Sequence, residues 1–97
     1  MSNKCNWSGK ALNDLLLIRE FIAQDNPKAA VDITKKIVLN VVEQLSRFQN
    51  IGRAGRVYGT RELIINNTPY IAIYRVKSNT SEILRVLHSS IKWPDSF

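Results

Sequence analysis

The sequence predicts an α+β fold in which a helix hairpin packs on one face of a small, mostly antiparallel sheet. Two observations predict it: apolar residues recur at helical spacing through the first half of the chain, and three short strand-like runs follow in the second half. The chain has 97 residues, of which 44% are hydrophobic, so we expect one domain over residues 1–97. With a short first strand over residues 3–7, the predicted element order is β-α-α-β-β-β.

The two helices are predicted from their starting signals. Ser8 is a suitable N-cap, because its hydroxyl can accept a free amide of the first turn, and it predicts a helix over residues 9–24. Asn26 and Pro27 predict the start of a longer helix that ends near residue 47, since proline at the first helical position sacrifices no hydrogen bond. The connection is only a few residues long, so we expect the helices to be antiparallel.

The second half begins with a predicted loop and continues with three strands. The loop runs from residue 49 to residue 58 and contains two glycines and two arginines. The strands are predicted at residues 60–65, 69–76 and 82–88, with the turn residues Asn66-Asn67 and Ser78-Asn79 between them.

The last two predicted strands are apolar on both faces. Strict alternation places Leu84, Val86 and His88 on one face of the last strand and Ile83, Arg85 and Leu87 on the other. A single helix pair covers only one face of a sheet, so we expect the second face to stay open as a partner site. The alternative is that loops and the C-terminal tail fold over it. Leu84, on the first face, is expected to be buried, so that Leu84→Asp would destabilise the fold.

The charge of the chain favours an anionic partner. There are 14 basic and 8 acidic residues, a net charge of +6, and the second half of the chain carries more of the excess than the first. Nucleic acid and an acidic protein segment both suit such a surface, whereas a basic surface with no such partner is the plain alternative.

Several classes of function are disfavoured by the composition. The lone cysteine, Cys5, cannot form an internal disulfide, and one histidine with scattered carboxylates gives no metal-ligand spacing, so we expect neither a metal nor a cofactor. There is no long apolar run and no signal-peptide pattern, which predicts a cytoplasmic protein without a membrane partner.

Four motifs in the last forty residues resemble the RelE/ParE superfamily of bacterial toxins, and most closely its ParE branch. The motifs are Gly59-Thr60-Arg61-Glu62-Leu63, Pro69-Tyr70 with Tyr74-Arg75-Val76, Leu87-His88 and Trp93-Pro94. The resemblance implies the RelE/ParE-like β-α-α-β-β-β fold. It also implies a toxin of a type II toxin–antitoxin pair that poisons DNA gyrase and is neutralised by a cognate, ParD-like antitoxin. Such an antitoxin has a ribbon-helix-helix start and an acidic C-terminal tail.

The resemblance also suggests which residues touch each partner. The candidates for contact with the target are basic or aromatic residues of the loop and the tail: Arg53, Arg56, Arg61, Lys92, Trp93 and Phe97. The candidates for contact with the antitoxin lie on the predicted open face: Ile71, Ile73, Arg75, Ile83, Arg85 and Leu87. Arg75 and Arg85 are included because few acidic residues are available to pair with them on that face.

Two alternatives remain open at this point. RelE-like members of the superfamily cut messenger RNA on the ribosome, and an enzyme of that kind would use His88 with the strand residues Arg61, Glu62, Arg75 and Arg85. Against it, no tyrosine follows the last strand and few lysines lie near the sheet, so we expect no catalytic residues. The other alternative is an inactive relative that only binds an antitoxin.

Overall fold

The computed structural model describes residues 3–97; residues 1 and 2 of the predicted domain lie outside the described part. The predicted order of helices and strands is confirmed, with one addition: a two-residue strand within the predicted loop. The elements are β1 (Lys4–Trp7), α1 (Gly9–Ala23), α2 (Pro27–Arg47), β2 (Arg53–Ala54), β3 (Arg61–Ile64), β4 (Tyr70–Lys77) and β5 (Thr80–His88).

The predicted helix caps are confirmed. The Ser8 hydroxyl accepts the amide of Ala11 at 3.0 Å at the start of α1. The Asn26 side chain accepts the amide of Ala29 at 3.0 Å, directly before Pro27 at the first position of α2. Local side-chain chemistry therefore sets where both helices begin.

The strands form one mixed sheet in the order β1-β5-β4-β3-β2. β1 runs parallel to β5, from Lys4 beside Thr80 to Trp7 beside Ile83, and the other neighbouring strands are antiparallel. The core lies between the sheet and the helix pair. Its largest fully buried side chains include Ile37, Val41 and Leu45 of α2 and Tyr74, Ile83 and Val86 of the sheet.

A β-bulge in β5 overturns the predicted alternation of that strand. Ile73 lies beside Arg85 and Tyr74 lies beside Ile83, so Leu84 has no partner on β4 and is the extra residue. Ile83 is 0% exposed and belongs to the core with Val86, whereas Leu84 is only half-buried. The placement of Ile83 on the second face, and of Leu84 in the core, was therefore wrong.

The expectation of an open second face was also wrong. Ile71, Ile73 and Leu87 are all less than 9% exposed although they are absent from the helix-covered core. Glu62, the neighbour of Ile73 on β3, accepts the backbone amide of Arg56 at 2.8 Å. The Arg56 guanidinium in turn lies 3.7 Å from the centre of the Trp93 ring.

These contacts place the loop after β2 and the C-terminal tail over the second face. The indole nitrogen of Trp93 donates to the carbonyl oxygen of His88 at 3.1 Å, which holds the tail back against the end of β5. The alternative, in which loops and tail cover this face, is the correct one. In the described residues, no helix is long and apolar enough to cross a membrane.

The bulge predicts that an aspartate costs very different amounts of stability at two adjacent apolar positions. We expect Ile83→Asp to lower the free energy of unfolding by ~3–5 kcal/mol, because it leaves an unpaired charge in the core. Leu84→Asp should cost only about 1 kcal/mol, since the carboxylate can reach water at the bulge. Urea unfolding followed by circular dichroism measures both, and an equal or larger loss for Leu84→Asp would contradict the observed register.

Candidate functional site

An apolar groove runs along the outer edge of β5. β1 pairs with β5 only as far as Ile83, and α1 flanks the remainder of the edge. The groove has a volume of about 480 Å³, and its apolar walls come from both elements and from the turn after β5. The apolar residues that line it are Leu17, Ile18, Phe21, Val86, Leu87 and Ile91.

Three of these apolar side chains are largely exposed. Phe21 is 67% exposed, Leu17 54% and Ile91 50%, and they lie along both rims of the groove. A contiguous apolar surface with so few polar groups is typical of a site that another protein covers. Sequence reasoning missed this site, although Leu17 and Phe21, four residues apart on α1, are a visible second apolar stripe beside the core-facing one.

The inner wall of the groove is held by an ion pair between Asp14 and Arg85. The carboxylate of Asp14 is buried and accepts Nε of Arg85 at 2.7 Å and Nη2 at 2.9 Å. It also accepts the amide of Val86 at 2.9 Å, on the edge of β5 that β1 leaves uncovered. The hydrogen bonds that Arg85 donates to Asp14 raise the pKa of Arg85, against the opposing effect of burial.

This pair corrects the expectation that few acidic residues are available to pair with Arg85. The two residues are 71 positions apart, so no spacing argument could join them. One signal was available: Asp14 lies on the apolar face of α1 beside Ala11, Leu15 and Ile18, where a carboxylate needs a partner. Arg75 has a partner as well, because its Nη2 lies 3.1 Å from Oε2 of Glu82.

His88 lies at the end of the groove and hydrogen-bonds to Ser90. Its Nδ1 accepts the backbone amide of Ser90 at 3.1 Å, and the Ser90 hydroxyl is 2.8 Å from the same nitrogen. The edge of the ring meets Tyr70, with 5.5 Å between the ring centres. Burial raises the pKa of Tyr70, which keeps its hydroxyl protonated.

A second cluster lies on the opposite face of the sheet and is centred on Glu62, whose carboxylate is 2% exposed. Its Oε1 accepts Nε and Nη2 of Arg53 at 3.2 and 3.0 Å, and its Oε2 accepts the amide of Arg56. With Trp93 stacked on Arg56, the structure brings together three of the predicted target-contact residues. We call Arg53, Arg56, Glu62 and Trp93 the arginine–tryptophan cluster.

The other predicted site residues lie apart from this cluster or have structural contacts. Arg61 donates to the carbonyl oxygens of Asn50 and Gly52 at 3.1 and 2.8 Å, which holds the loop before β2. Lys92 is exposed and Phe97 is half-buried in the tail. The five residues of the possible endonuclease set therefore do not converge on one point: Arg75, Arg85 and Glu62 each face a different partner.

We expect Asp14→Asn to lower the free energy of unfolding by ~2–4 kcal/mol. The change leaves the partly buried Arg85 charge without its counter-ion and weakens the bond to the Val86 amide. Glu43→Gln is the matched control, because Glu43 pairs with Arg47 on the open surface of α2 and its loss should cost no more than about 0.5 kcal/mol. Urea unfolding compares the two, and equal losses would show that the Asp14–Arg85 pair adds nothing.

The comparison with protein families gives one match over almost the whole chain. Residues 5–93 match the model of the ParE toxin of the type II toxin–antitoxin system, parDE. The Y4kP protein of Sinorhizobium fredii is 39% identical over 95 residues, covering 97% of each chain. Toxin RelE2 of Caulobacter vibrioides is 30% identical over 84 residues, covering 87% of this chain and 92% of that protein.

Two solved structures share the fold. The chromosomal ParDE toxin–antitoxin system from P. aeruginosa contains a chain with a TM-score of 0.79 and 30% identity, covering 90% of this chain and 96% of that one. The toxin–antitoxin complex RelBE2 from Mycobacterium tuberculosis contains one with a TM-score of 0.63 and 24% identity, covering 91% and 92%, which shows the fold alone. From the family match and these relatives, the chain belongs to the ParE toxin family of type II toxin–antitoxin systems.

Proposed function

We propose that this ParE-family toxin acts in the cytoplasm by binding DNA gyrase, and that a cognate antitoxin silences it by filling the groove along β5. The observation that carries the proposal of gyrase binding is that the candidate catalytic residues lie apart from one another. Cleavage of RNA needs a base, an acid and cations that meet at one phosphate. Here Arg75 and Arg85 are engaged in separate ion pairs, and Arg61 donates to backbone carbonyl oxygens of the loop before β2.

Inhibition by binding needs no convergent chemistry, only a surface. The arginine–tryptophan cluster offers two half-exposed arginine side chains and an indole ring beside the sheet. Arginine and tryptophan are the residue types that most often dominate the energy of protein interfaces. This supports Arg53 and Arg56 of the loop and Trp93 of the tail as part of the surface that contacts the target.

The gyrase proposal predicts a specific biochemical effect. The purified protein, free of antitoxin, should inhibit supercoiling by gyrase at micromolar concentration and cause cleaved DNA to accumulate. Because no proton transfer is involved, His88→Ala should keep this effect within about twofold of the wild type. The measurement is a plasmid supercoiling and cleavage assay, with DNA-damage response scored in cells that express the toxin alone.

Other outcomes of these assays would favour one of the two alternative functions, an mRNA endonuclease or an inactive relative. The 30% identity to Toxin RelE2 makes ribosome-dependent cleavage of messenger RNA the second candidate. Translation arrest with cleaved messenger RNA, lost in His88→Ala, would replace the gyrase proposal with that activity. Absence of growth arrest from the folded protein would show an inactive relative.

The antitoxin part of the proposal rests on the groove. A ParD-like antitoxin has an extended C-terminal segment, and the groove combines an apolar floor with a strand edge that β1 leaves uncovered beyond Ile83. An amphipathic helix or an added strand would bury Leu17, Phe21 and Ile91, which are exposed in the toxin alone. Arg85 and Leu87, two of the predicted antitoxin contacts, line this groove, whereas Ile71, Ile73 and Ile83 are buried within the toxin.

Two equally exposed side chains test the position of the antitoxin. Phe21, in the groove, and Leu39, on the outer surface of α2, are both 67% exposed. We expect Phe21→Glu to weaken the complex at least about tenfold, because a charge enters an apolar contact, while Leu39→Glu changes the affinity by less than about twofold. Titration calorimetry with the product of the adjacent antitoxin gene measures both, and equal effects would place the antitoxin elsewhere.

A further inference from the structure

The Glu62 carboxylate connects the three parts of the arginine–tryptophan cluster. It is 2% exposed, so it cannot itself contact a partner across an interface. Each of its oxygens has a separate role: Oε1 binds the Arg53 side chain, and Oε2 binds the Arg56 amide with the Arg56 Nε 3.7 Å away. One buried anion therefore fixes the positions of two cations.

The two arginines reach outward from this anchor. Their side chains remain 52% and 49% exposed, so about half of each side chain faces solvent. By contrast, the side chains of Asp14 and Arg85, which pair at the inner wall of the groove, are only 8% and 23% exposed. Arg56 extends the arrangement, because Trp93 stacks on its guanidinium.

We propose that Glu62 is the positioning residue of the target-binding surface: it holds Arg53 and Arg56 in place, and through Arg56 it holds the Trp93 ring, without touching the target itself. The proposal rests on the gyrase-binding function proposed above. It assigns to Glu62 a role different from the catalytic one considered from the sequence.

The test compares Glu62→Gln with Glu82→Gln. Glu82 pairs with Arg75 at 3.1 Å, close to the 3.0 Å of the Glu62–Arg53 pair, but lies outside the cluster. Glutamine at position 62 loses the charge, and its single carbonyl oxygen can replace only one of the two carboxylate oxygens, since its NH2 group does not accept. We expect Glu62→Gln to raise the half-inhibitory concentration for gyrase supercoiling at least about tenfold, and Glu82→Gln to change it by less than about twofold.

A second readout follows the geometry of the cluster without gyrase. In a Trp7→Phe background, Trp93 is the remaining tryptophan, and its emission reports the stacking on Arg56. We expect Glu62→Gln to shift this emission to longer wavelength and to increase quenching by acrylamide, with no change for Glu82→Gln. Unchanged emission in Glu62→Gln would overturn the proposal, whatever gyrase does.

A double-mutant cycle separates positioning from general destabilisation. If Glu62 acts through the two arginines, then Glu62→Gln should add less than about twofold to the loss of inhibition already caused by Arg53→Gln and Arg56→Gln together. Full additivity would overturn the positioning role. If Glu62→Gln does not fold, the same cycle is run with Glu62→Asp, which keeps the charge but withdraws it from both arginines. Inactivity of the wild type on gyrase would end the proposed function, while the Trp93 emission would still decide the role of Glu62.

Discussion

The architecture of the groove depends on one extra residue in β5. Because Leu84 is inserted opposite β4, Ile83 and Val86 both face the helices, and Arg85 is left at the strand edge within reach of Asp14. Ser8 reinforces this geometry: its amide and hydroxyl donate to the carbonyl oxygens of Ile83 and Leu84, while the hydroxyl accepts the amide of Ala11. β1 therefore ends where the bulge begins, and α1 takes over the edge. The groove exists because a strand is replaced there by a helix.

The groove and the arginine–tryptophan cluster lie on different sides of the sheet, yet one short segment contributes to both. His88, Ser90 and Ile91 line the groove, and the carbonyl oxygen of His88 accepts both the Ile91 amide and the indole of Trp93. Trp93 then stacks on Arg56. Because both bonds share one acceptor, the turn that borders the groove also holds the Trp93 ring on the other side of the sheet.

Local signals in the sequence predicted the helices and strands. The features that depend on contacts between distant parts of the chain were not predicted. The caps at Ser8 and Asn26 act within three residues, so the sequence was sufficient to find both helices. The bulge was not predictable from pattern, because Ile83 and Leu84 suit a buried strand position equally well. The Asp14–Arg85 pair joins distant parts of the chain, so no local pattern predicts it. The tail that covers the second face forms no helix or strand, so its sequence has no periodic pattern from which its position could be predicted. The groove was consequently missed, although two of its residues, Arg85 and Leu87, were named for a different reason.

The ion pairs define what the basic side chains of the sheet can contribute to the proposed binding surface. A catalytic cation must be free to meet a developing charge at one point, and cations that brace separate parts of a fold cannot do this. Structural pairing does not remove an arginine from recognition, however, because the guanidinium carries more N–H donors than one carboxylate oxygen can occupy. Glu62 takes Nε and Nη2 of Arg53 and leaves the rest of that group at the surface. The bonds that order the loop therefore also fix the direction in which the Arg53 guanidinium would face a partner protein. A side chain that is already ordered loses less conformational entropy on binding.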